Sequence, residues 1–426
     1  MKINSFILRI IRLFDAFSPK ILVSFRIKIF QLVGNPFFSQ IISNDEIINF
    51  GEKNKHIFFG YYDVTPFNDS DKSLLVMQAS LMNRAPKEND YAEIGYYHIN
   101  ELNRSFVFLG KTNTWCWQQG CRLQWYGGGK NQIIYNCLVD GEYGSMIKEI
   151  SSGNIIKKIN KSLYAISKDG EWGISLDFSR LQRLRPGYGY GTLPDKSIGD
   201  PCPDYNGIEL VNLKTNESHQ LFSLKEISKI EPHNSMNGAQ HYFNHLMFNP
   251  SGNRFLFFHL WMDKNKKRYS RLFVADKNGE NIKLLNNSGS ISHYNWISED
   301  EIILYSLIKE KKEYAYAIFD SRNGGIKYFG KNIPKSDGHP TLLKNSKIII
   351  TDTYPDLFSQ RKLLAYKTKE DETKILARFD SPKNFAGEFR CDLHPRISNN
   401  GKIICVDRII DGKRNISLMP FDAKLL

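Results

Sequence analysis

The chain has 426 residues, of which 24% are charged and 13% aromatic, and this globular composition argues against a disordered protein. The formal net charge of +13 favours an anionic partner, although a merely lysine-rich surface would give the same value. None of the six cysteines forms a CxxC pair, which argues against a zinc ribbon. Six cysteines in a chain of this length are too few for a disulfide scaffold, which favours a reducing, cytoplasmic compartment.

The N-terminal stretch is apolar and basic at once. Charged residues such as Arg9 and Arg12 interrupt every apolar run, so no segment reaches the roughly 20 apolar residues of a membrane span. We therefore expect residues 1–45 to form a short, basic, amphipathic α-helical extension. Residues 1–40 would either lie on an anionic membrane, at its cytoplasmic face, or pack on the protein's own body.

Beyond residue 45 the chain reads as short β-rich runs separated by polar turns, and aligning those turns gives seven units. Turns such as Asn278-Gly279 between alternating strands predict an outer hairpin in each unit. We therefore predict an all-β fold, a single seven-bladed β-propeller over residues 46–426. The stretch EIINFGEKNKHIFF would supply the strand that closes the ring. A Gly-, Pro- and Arg-rich insertion that begins RLQRLRPGYGYG is expected to be a loop over one face.

Four of the seven units open on a histidine: His245, His293, His339 and His394. Their spacings of 48, 46 and 55 residues are close to the roughly 40–50 residues of a four-stranded blade. The innermost strands of a propeller surround its channel, so equivalent residues should form a ring at one mouth. Converging neutral imidazoles suit metal binding or proton transfer. The alternative is that each histidine only caps its strand by bonding to the neighbouring blade.

Other polar residues fall near the same strand ends. Arginine pairs with carboxylates and tyrosine stacks on sugar rings, so these residue types suit an acidic saccharide. The candidates for substrate binding are Tyr62, Asp63, Gln119, Arg122, Arg390 and Asp392. The long insertion adds Arg183, Arg185 and Tyr188, which we include with His245 as candidate catalytic residues.

The stretches HLMFNPSG, SISHYNW, DGHP and DLHPRIS resemble the oligogalacturonate lyase family and, more loosely, the Tol-Pal propellers. The resemblance covers roughly residues 240–426. It implies a seven-bladed propeller with manganese or a similar divalent metal at the channel mouth. It further implies that His293, His339 and His394 are metal ligands and that His245 is the base beside a uronate carboxylate.

Two features depart from that family pattern. The family's metal-binding glutamine is missing before the DGHP stretch, where residues 335–337 read Lys-Ser-Asp. The candidate arginines, Arg183 and Arg185, lie some 60 residues before His245 rather than shortly before it.

Three functions follow as hypotheses. The first is a lyase that cleaves an acidic saccharide by metal-assisted β-elimination. The second is a membrane-associated glycosyltransferase or hydrolase of bacterial surface-polysaccharide synthesis (O-antigen or capsule), acting on a lipid-linked saccharide with Asp63 or Asp392 as base. The third is a non-catalytic binding scaffold. No nucleic-acid recognition motif accompanies the positive charge, so nucleic acid is not a predicted partner.

Overall fold

A computed structural model describes residues 40–101, 104–127, 131–308, 312–343 and 346–426. The predicted N-terminal helices fall almost entirely outside these ranges, and the first described element is a 3₁₀ turn at Asn44–Glu46. Within the described ranges, no helix has the length and apolar character needed to cross a membrane.

The described strands form seven antiparallel sheets of four strands each, so the predicted all-β, seven-bladed propeller is confirmed. The first blade contains β2 (Lys55–Phe58), β3 (Ser73–Ser80), β4 (Ala92–His98) and β5 (Val107–Thr112). The second contains β6 (Gln124–Tyr126), β7 (Gln132–Val139), β8 (Glu142–Glu149) and β9 (Ile155–Ile159). The third contains β10 (Ala165–Ile166), β11 (Trp172–Ser175), β12 (Gly207–Asn212) and β13 (Ser218–Ser223). Each blade begins at the channel and ends at the rim.

The next three blades have the same order of strands. The fourth blade contains β14 (Gln240–Phe248), β15 (Arg254–Met262), β16 (Arg268–Asp276) and β17 (Lys283–Gly289). The fifth contains β18 (Ile291–Trp296), β19 (Glu301–Ile308), β20 (Glu313–Asp320) and β21 (Ile326–Tyr328). The sixth contains β22 (Thr341–Leu342), β23 (Ile348–Asp352), β24 (Gln360–Lys367) and β25 (Glu372–Asp380). The turn at Asn278-Gly279 joins β16 to β17, which confirms the predicted outer hairpin there.

The seventh blade closes the ring with strands from both ends of the described chain. Its strands are β26 (Arg396–Ile397), β27 (Ile403–Ile410), β28 (Lys413–Pro420) and, outermost, β1 (Ile48–Phe50). Ile48 lies opposite Leu418 and Phe50 opposite Ile416. The prediction that EIINF supplies the closing strand is therefore confirmed, and this pairing covers an edge that β28 would otherwise expose.

The core lies between neighbouring blades, because each sheet buries both faces. Strand β3 (SLLVMQAS) is buried at seven of its eight positions, which explains its nearly continuous apolar sequence. Between the fourth and fifth blades, Leu256 and Phe258 pack with Ile302 and Leu304. Stacking of this kind holds the innermost strands, and hence the channel mouth, in fixed positions.

The long insertion begins with a helix, so its prediction as a loop was wrong for those residues. Helix α1 (Phe178–Leu184) starts at Asp177, whose carboxylate accepts a hydrogen bond from the Arg180 amide at 2.9 Å. Its buried face includes Phe178, Leu181 and Leu184, a three-residue spacing that the arginines between them obscure in the sequence.

The remaining helical elements are short. Helix α2 (Leu224–Lys229) follows the third blade and has a capping box formed by Ser223 and Glu226. Besides the turn at Asn44–Glu46, the described 3₁₀ segments are Asn234–Met236, Gly387–Phe389 and Ala423–Leu425.

Candidate functional site

Backbone irregularities in the innermost strands turn side chains into the channel mouth. The pairing of β14 with β15 shifts register between Asn244 and Met247, and His245 in this bulge has φ +50°. His394 has φ +45° and Arg122 φ +55° at the equivalent places of their blades. Positive φ is uncommon outside glycine and tends to occur at functional sites. Three such residues at equivalent blade positions mark this mouth as the candidate site.

The four histidines lie together there, as the blade alignment predicts, and we call them the histidine ring. Ring centroids are 6.3 Å apart for His245 and His293, 4.2 Å for His293 and His339, and 4.4 Å for His339 and His394. Tyr61 stands among them, with its centroid 4.9 Å from that of His245 and 4.8 Å from that of His394.

In three members of the histidine ring, Nδ1 faces an oxygen that can only accept a hydrogen bond. The pairs are His293 with the Asp337 carboxylate at 2.9 Å, His339 with the Asp352 carboxylate at 2.9 Å, and His394 with the Gly60 carbonyl at 2.9 Å. Each Nδ1 therefore carries the proton, and each Nε2 keeps its lone pair in the neutral ring. This is the arrangement that orients histidines as metal ligands.

Two of these Nε2 atoms find no hydrogen-bond partner in the described part of the chain. Nε2 of His339 and Nε2 of His394 are buried without a hydrogen-bond partner. His339, His394 and Asp392 form a group in which one potential ligand atom of each residue lies within 4.8 Å of the other two. A buried polar atom without a partner is unfavourable, and a metal ion would supply the missing one. The residues present thus fit a divalent metal.

Burial favours the neutral form of three imidazoles of the histidine ring. It lowers the pKa of His245, His339 and His394 below the usual value, and neighbouring ring histidines lower each pKa further. For His339 the Asp352 carboxylate opposes part of this effect. Neutral imidazole is the form that binds metals and accepts protons.

Asp392, expected from the sequence to contact substrate, is instead fully buried behind the histidine ring. Its carboxylate forms ion pairs at 2.8 Å with both Arg361 and Arg390 and lies 4.0 Å from Nε2 of His394. Burial raises the pKa of Asp392, but the two guanidinium charges outweigh burial and hold it well below its usual range. The side chain is therefore ionised, and it faces the histidines rather than the open mouth.

Asp63, Arg122 and Gln119 likewise make internal contacts where we expected contacts with substrate. Arg122 pairs with Asp63 through two hydrogen bonds of 3.0 and 2.8 Å, and their side chains are only 2% and 4% exposed. Gln119 is buried and donates to the Tyr164 hydroxyl at 2.6 Å. Neither Asp63 nor Asp392 is a free carboxylate, which weakens both as candidate bases.

Tyr62 is also committed to the fold. Its hydroxyl donates to the Tyr294 carbonyl at 2.6 Å, and its ring lies 5.1 Å from that of His339. Gly60 makes this turn possible, because a Cβ there would lie 3.0 Å from the Gln119 carbonyl oxygen. The GYYD stretch thus places two tyrosines inside the ring as packing and hydrogen-bonding partners.

The insertion brings Arg185 and Tyr188 to the mouth but turns Arg183 away. Arg183 donates to Asp195 at 2.6 Å and to Gln240 at 3.2 Å. The Tyr188 ring lies 5.8 Å from that of His245, and its hydroxyl accepts a hydrogen bond from Arg390.

Arg185 differs from its neighbours in having no polar partner. Its guanidinium lies 5.0 Å from the Tyr188 ring centroid, and its charge is one cause of the lowered pKa of His245. Among the described residues, its guanidinium makes no hydrogen bond or ion pair, although the residue is only partly exposed. It is therefore a cation beside His245 that is available to an anionic group.

Residues of the site that were not predicted include Asp337, Asp352, Tyr354, Arg361 and Tyr164. Asp352 ends the strand IIITD, where a carboxylate in an apolar run is a detectable signal. Asp337 lies two residues before His339 in DGHP. Tyr354 is exposed, with its ring 6.4 Å from those of His293 and His339, and only the fold shows this proximity.

The sequence matches no protein-family model and no curated protein. Among solved structures, it is similar to an oligogalacturonate lyase in complex with manganese, at 12% identity and TM-score 0.62, covering 89% of this chain and 97% of that one. An oligogalacturonate lyase from Vibrio parahaemolyticus matches at 13% identity and TM-score 0.63, covering 90% and 96%. The resemblance predicted from the short motifs is thereby confirmed, at the level of the fold.

TolB from Acinetobacter baumannii is also similar, at 14% identity, with 84% of this chain and 83% of that one covered. Its TM-score of 0.38 is too low to support an argument about the site.

Proposed function

We propose that the protein is an enzyme that cleaves an anionic, uronate-type saccharide by β-elimination with the help of a divalent metal. One observation carries the proposal. Three ring histidines hold their protons on Nδ1 against Asp337, Asp352 and the Gly60 carbonyl, and the buried Nε2 atoms of two have no partner. A histidine that only caps a strand would bond to the protein through its ring nitrogens, whereas a metal-binding histidine keeps one ring nitrogen free for the ion.

His339 and His394 would hold the metal together with Asp392, the three residues whose ligand atoms lie close together. His293, whose ring centroid lies 4.2 Å from that of His339, would be the further ligand. Imidazole and carboxylate ligands suit manganese or a similar divalent ion. When bound, such an ion supplies positive charge that stabilises negative charge developing on a uronate. The manganese in the similar lyase structure is in keeping with this choice.

Arg185 and His245 supply the other two requirements of the reaction. The free guanidinium of Arg185 suits a uronate carboxylate, because arginine and carboxylate form charge-assisted pairs. His245 is partly exposed and, being neutral, can take the proton from the carbon next to that carboxylate. The electron pair left behind forms a carbon–carbon double bond, and the glycosidic oxygen departs with the electrons of its own bond.

The predictions about the substrate's source and the protein's cellular location also belong to this proposal. The net charge of +13 favours an acidic substrate, and a lipid-linked saccharide at the cytoplasmic face of a membrane is one source of it. That setting depends on residues 1–40, nearly all of them outside the described ranges. No contact among the described residues specifically favours a glycosyltransferase or a scaffold.

The experiment is to incubate the full chain and manganese with oligosaccharides of galacturonate, glucuronate and mannuronate. Formation of the unsaturated product is followed by its ultraviolet absorbance. We expect product from one class and none from a His245→Gln variant, whereas His219→Gln, at an exposed histidine, should remain active. Absence of product from all three classes, with metal bound, would contradict the proposal.

A further inference from the structure

His245 differs from the other ring histidines in what its nitrogens face. Nδ1 lies 3.4 Å from the Tyr164 hydroxyl and Nε2 lies 3.4 Å from the Tyr61 hydroxyl. A hydroxyl can donate or accept, so these two contacts alone do not decide which nitrogen carries the proton. The other groups that bond to the Tyr164 hydroxyl determine which nitrogen of His245 carries the proton.

The surroundings of Tyr164 leave one consistent assignment. The Gln119 amide nitrogen donates to the Tyr164 oxygen at 2.6 Å and lies 3.3 Å from the Asn244 side-chain oxygen. That Asn244 oxygen is an acceptor 3.2 Å from the Tyr164 hydroxyl, closer than Nδ1 of His245. The Tyr164 proton therefore goes to Asn244, and the remaining lone pair on the Tyr164 oxygen faces Nδ1.

Tyr164 is itself held rigidly. It is fully buried, and Arg122 donates from Nε to its backbone carbonyl at 2.7 Å. The Arg122 guanidinium also lies 4.3 Å from the Tyr164 ring centroid and is fixed by its ion pair with Asp63. Three of the residues that we expected to bind substrate thus converge on Tyr164: Gln119 on its hydroxyl, and Arg122 with Asp63 on its backbone carbonyl and ring.

We propose that Tyr164 is a positioning residue that keeps the proton of His245 on Nδ1 and leaves Nε2, which faces the Tyr61 hydroxyl, unprotonated at the mouth. Gln119 and Asn244 set the direction of the Tyr164 hydroxyl, and Arg122 with Asp63 hold its ring. The catalytic consequence depends on the proposed function, whereas the assignment of the proton does not.

The first test measures the proton position directly. In full-length protein with ¹⁵N-labelled histidine, the protonated and bare ring nitrogens resonate in separate regions of the NMR spectrum, and His245→Gln identifies the signals of His245. We expect the Nδ1–H form in the wild type and loss of that preference in Tyr164→Phe. Tyr190→Phe is the matched control, because its buried hydroxyl accepts from Asn136 at 2.8 Å in the same part of the core.

A second variant covers the case in which Tyr164→Phe does not fold. Asn244→Leu removes the acceptor for the Tyr164 proton and leaves the tyrosine in place. That proton should then turn to Nδ1 and shift His245 to the Nε2–H form. A wild type already in the Nε2–H form, or a preference unchanged in both variants, would overturn the proposal.

Kinetics separate this proposal from the proposed function. If the wild type cleaves a uronate saccharide, Tyr164→Phe should lower kcat by at least about tenfold with little change in KM, because a base in the wrong tautomer still binds substrate. Equal kcat for Tyr164→Phe and Tyr190→Phe would overturn the positioning role. An inactive wild type with the Nδ1–H form would reject the proposed function alone.

Discussion

The channel mouth has two unlike halves. Blades four to seven each present a histidine, and in His293, His339 and His394 an acceptor on Nδ1 leaves Nε2 unused. Blades one to three present Asp63, Arg122 and Tyr164, whose polar groups bond mainly to one another.

This contrast shows that equivalent positions in a repeat fold can serve opposite purposes. In the histidine half, His293, His339 and His394 are each paired through Nδ1, so the other nitrogen of these rings remains available to a ligand. The other half pairs its charges completely, so removing a partner would leave a buried charge unpaired. Arg185 and Arg122 show the same contrast within one residue type. The Arg185 guanidinium has no polar partner among the described residues, whereas Arg122 makes two hydrogen bonds to Asp63.

The largest effect is expected on the histidine half. The double variant His339→Ala, His394→Ala removes both unpartnered Nε2 atoms, so the protein should lose its bound metal. Elemental mass spectrometry should find about one divalent ion per wild-type chain and essentially none in the variant. His219→Ala serves as the control, since this histidine is exposed. Equal metal content in the wild type and the double variant would contradict the metal site.

Breaking the paired half should cost stability instead. Arg122→Met leaves the Asp63 carboxylate buried and unpaired, which should lower the free energy of unfolding by about 3–5 kcal/mol. Urea unfolding would measure this loss. Lys196→Met breaks an ion pair whose side chains are 71% and 63% exposed, and it should change stability by about 0.5 kcal/mol or less. The double variant Asp63→Asn, Arg122→Met should recover part of the loss.

Arg185→Met should weaken substrate binding and leave stability nearly unchanged. Loss of one charge-assisted contact corresponds to roughly 10- to 100-fold weaker affinity for a uronate saccharide. Titration calorimetry would measure it, with Arg183→Met as the matched control, because that arginine is paired with Asp195. If the two variants bind equally well, Arg185 is not the carboxylate contact.

Acid should affect stability by a smaller amount per pH unit. Burial and the charges of Arg180 and Arg271 lower the pKa of His241 from 6.5 to about 4. As the pH falls below 6.5, His241 takes up a proton in the unfolded state but stays neutral in the folded state until about pH 4. Stability should therefore decline between pH 6.5 and about 4, by at most about 1.4 kcal/mol per unit for this group.

Urea midpoints measured across this pH range would show the decline. A wild-type midpoint that stays constant from pH 6.5 to 4 would show that buried histidines such as His241 take up protons without unfolding.

Much of the fold could be predicted because it depends on periodic, local patterns. The alternation of apolar strands with polar turns indicated seven blades, and the repeated histidine indicated four side chains at one mouth. Helix α1 was missed because its buried residues alternate with arginines and because a Gly- and Pro-rich stretch follows at once. The Gly- and Pro-rich composition of this stretch favoured a loop prediction. The three-residue spacing of the buried residues in helix α1 becomes meaningful only once they pack against the rest of the protein.

The amino-acid pattern alone was enough to place His245, His293, His339 and His394 at one channel mouth, because strand order in a propeller is a matter of repeat spacing. It could not show that Asp63 and Arg122 pair with each other, since 59 positions separate them along the chain. Nor could it show which nitrogen of each histidine is free. Those properties depend on side-chain contacts between blades, and such contacts exist only once the ring has closed.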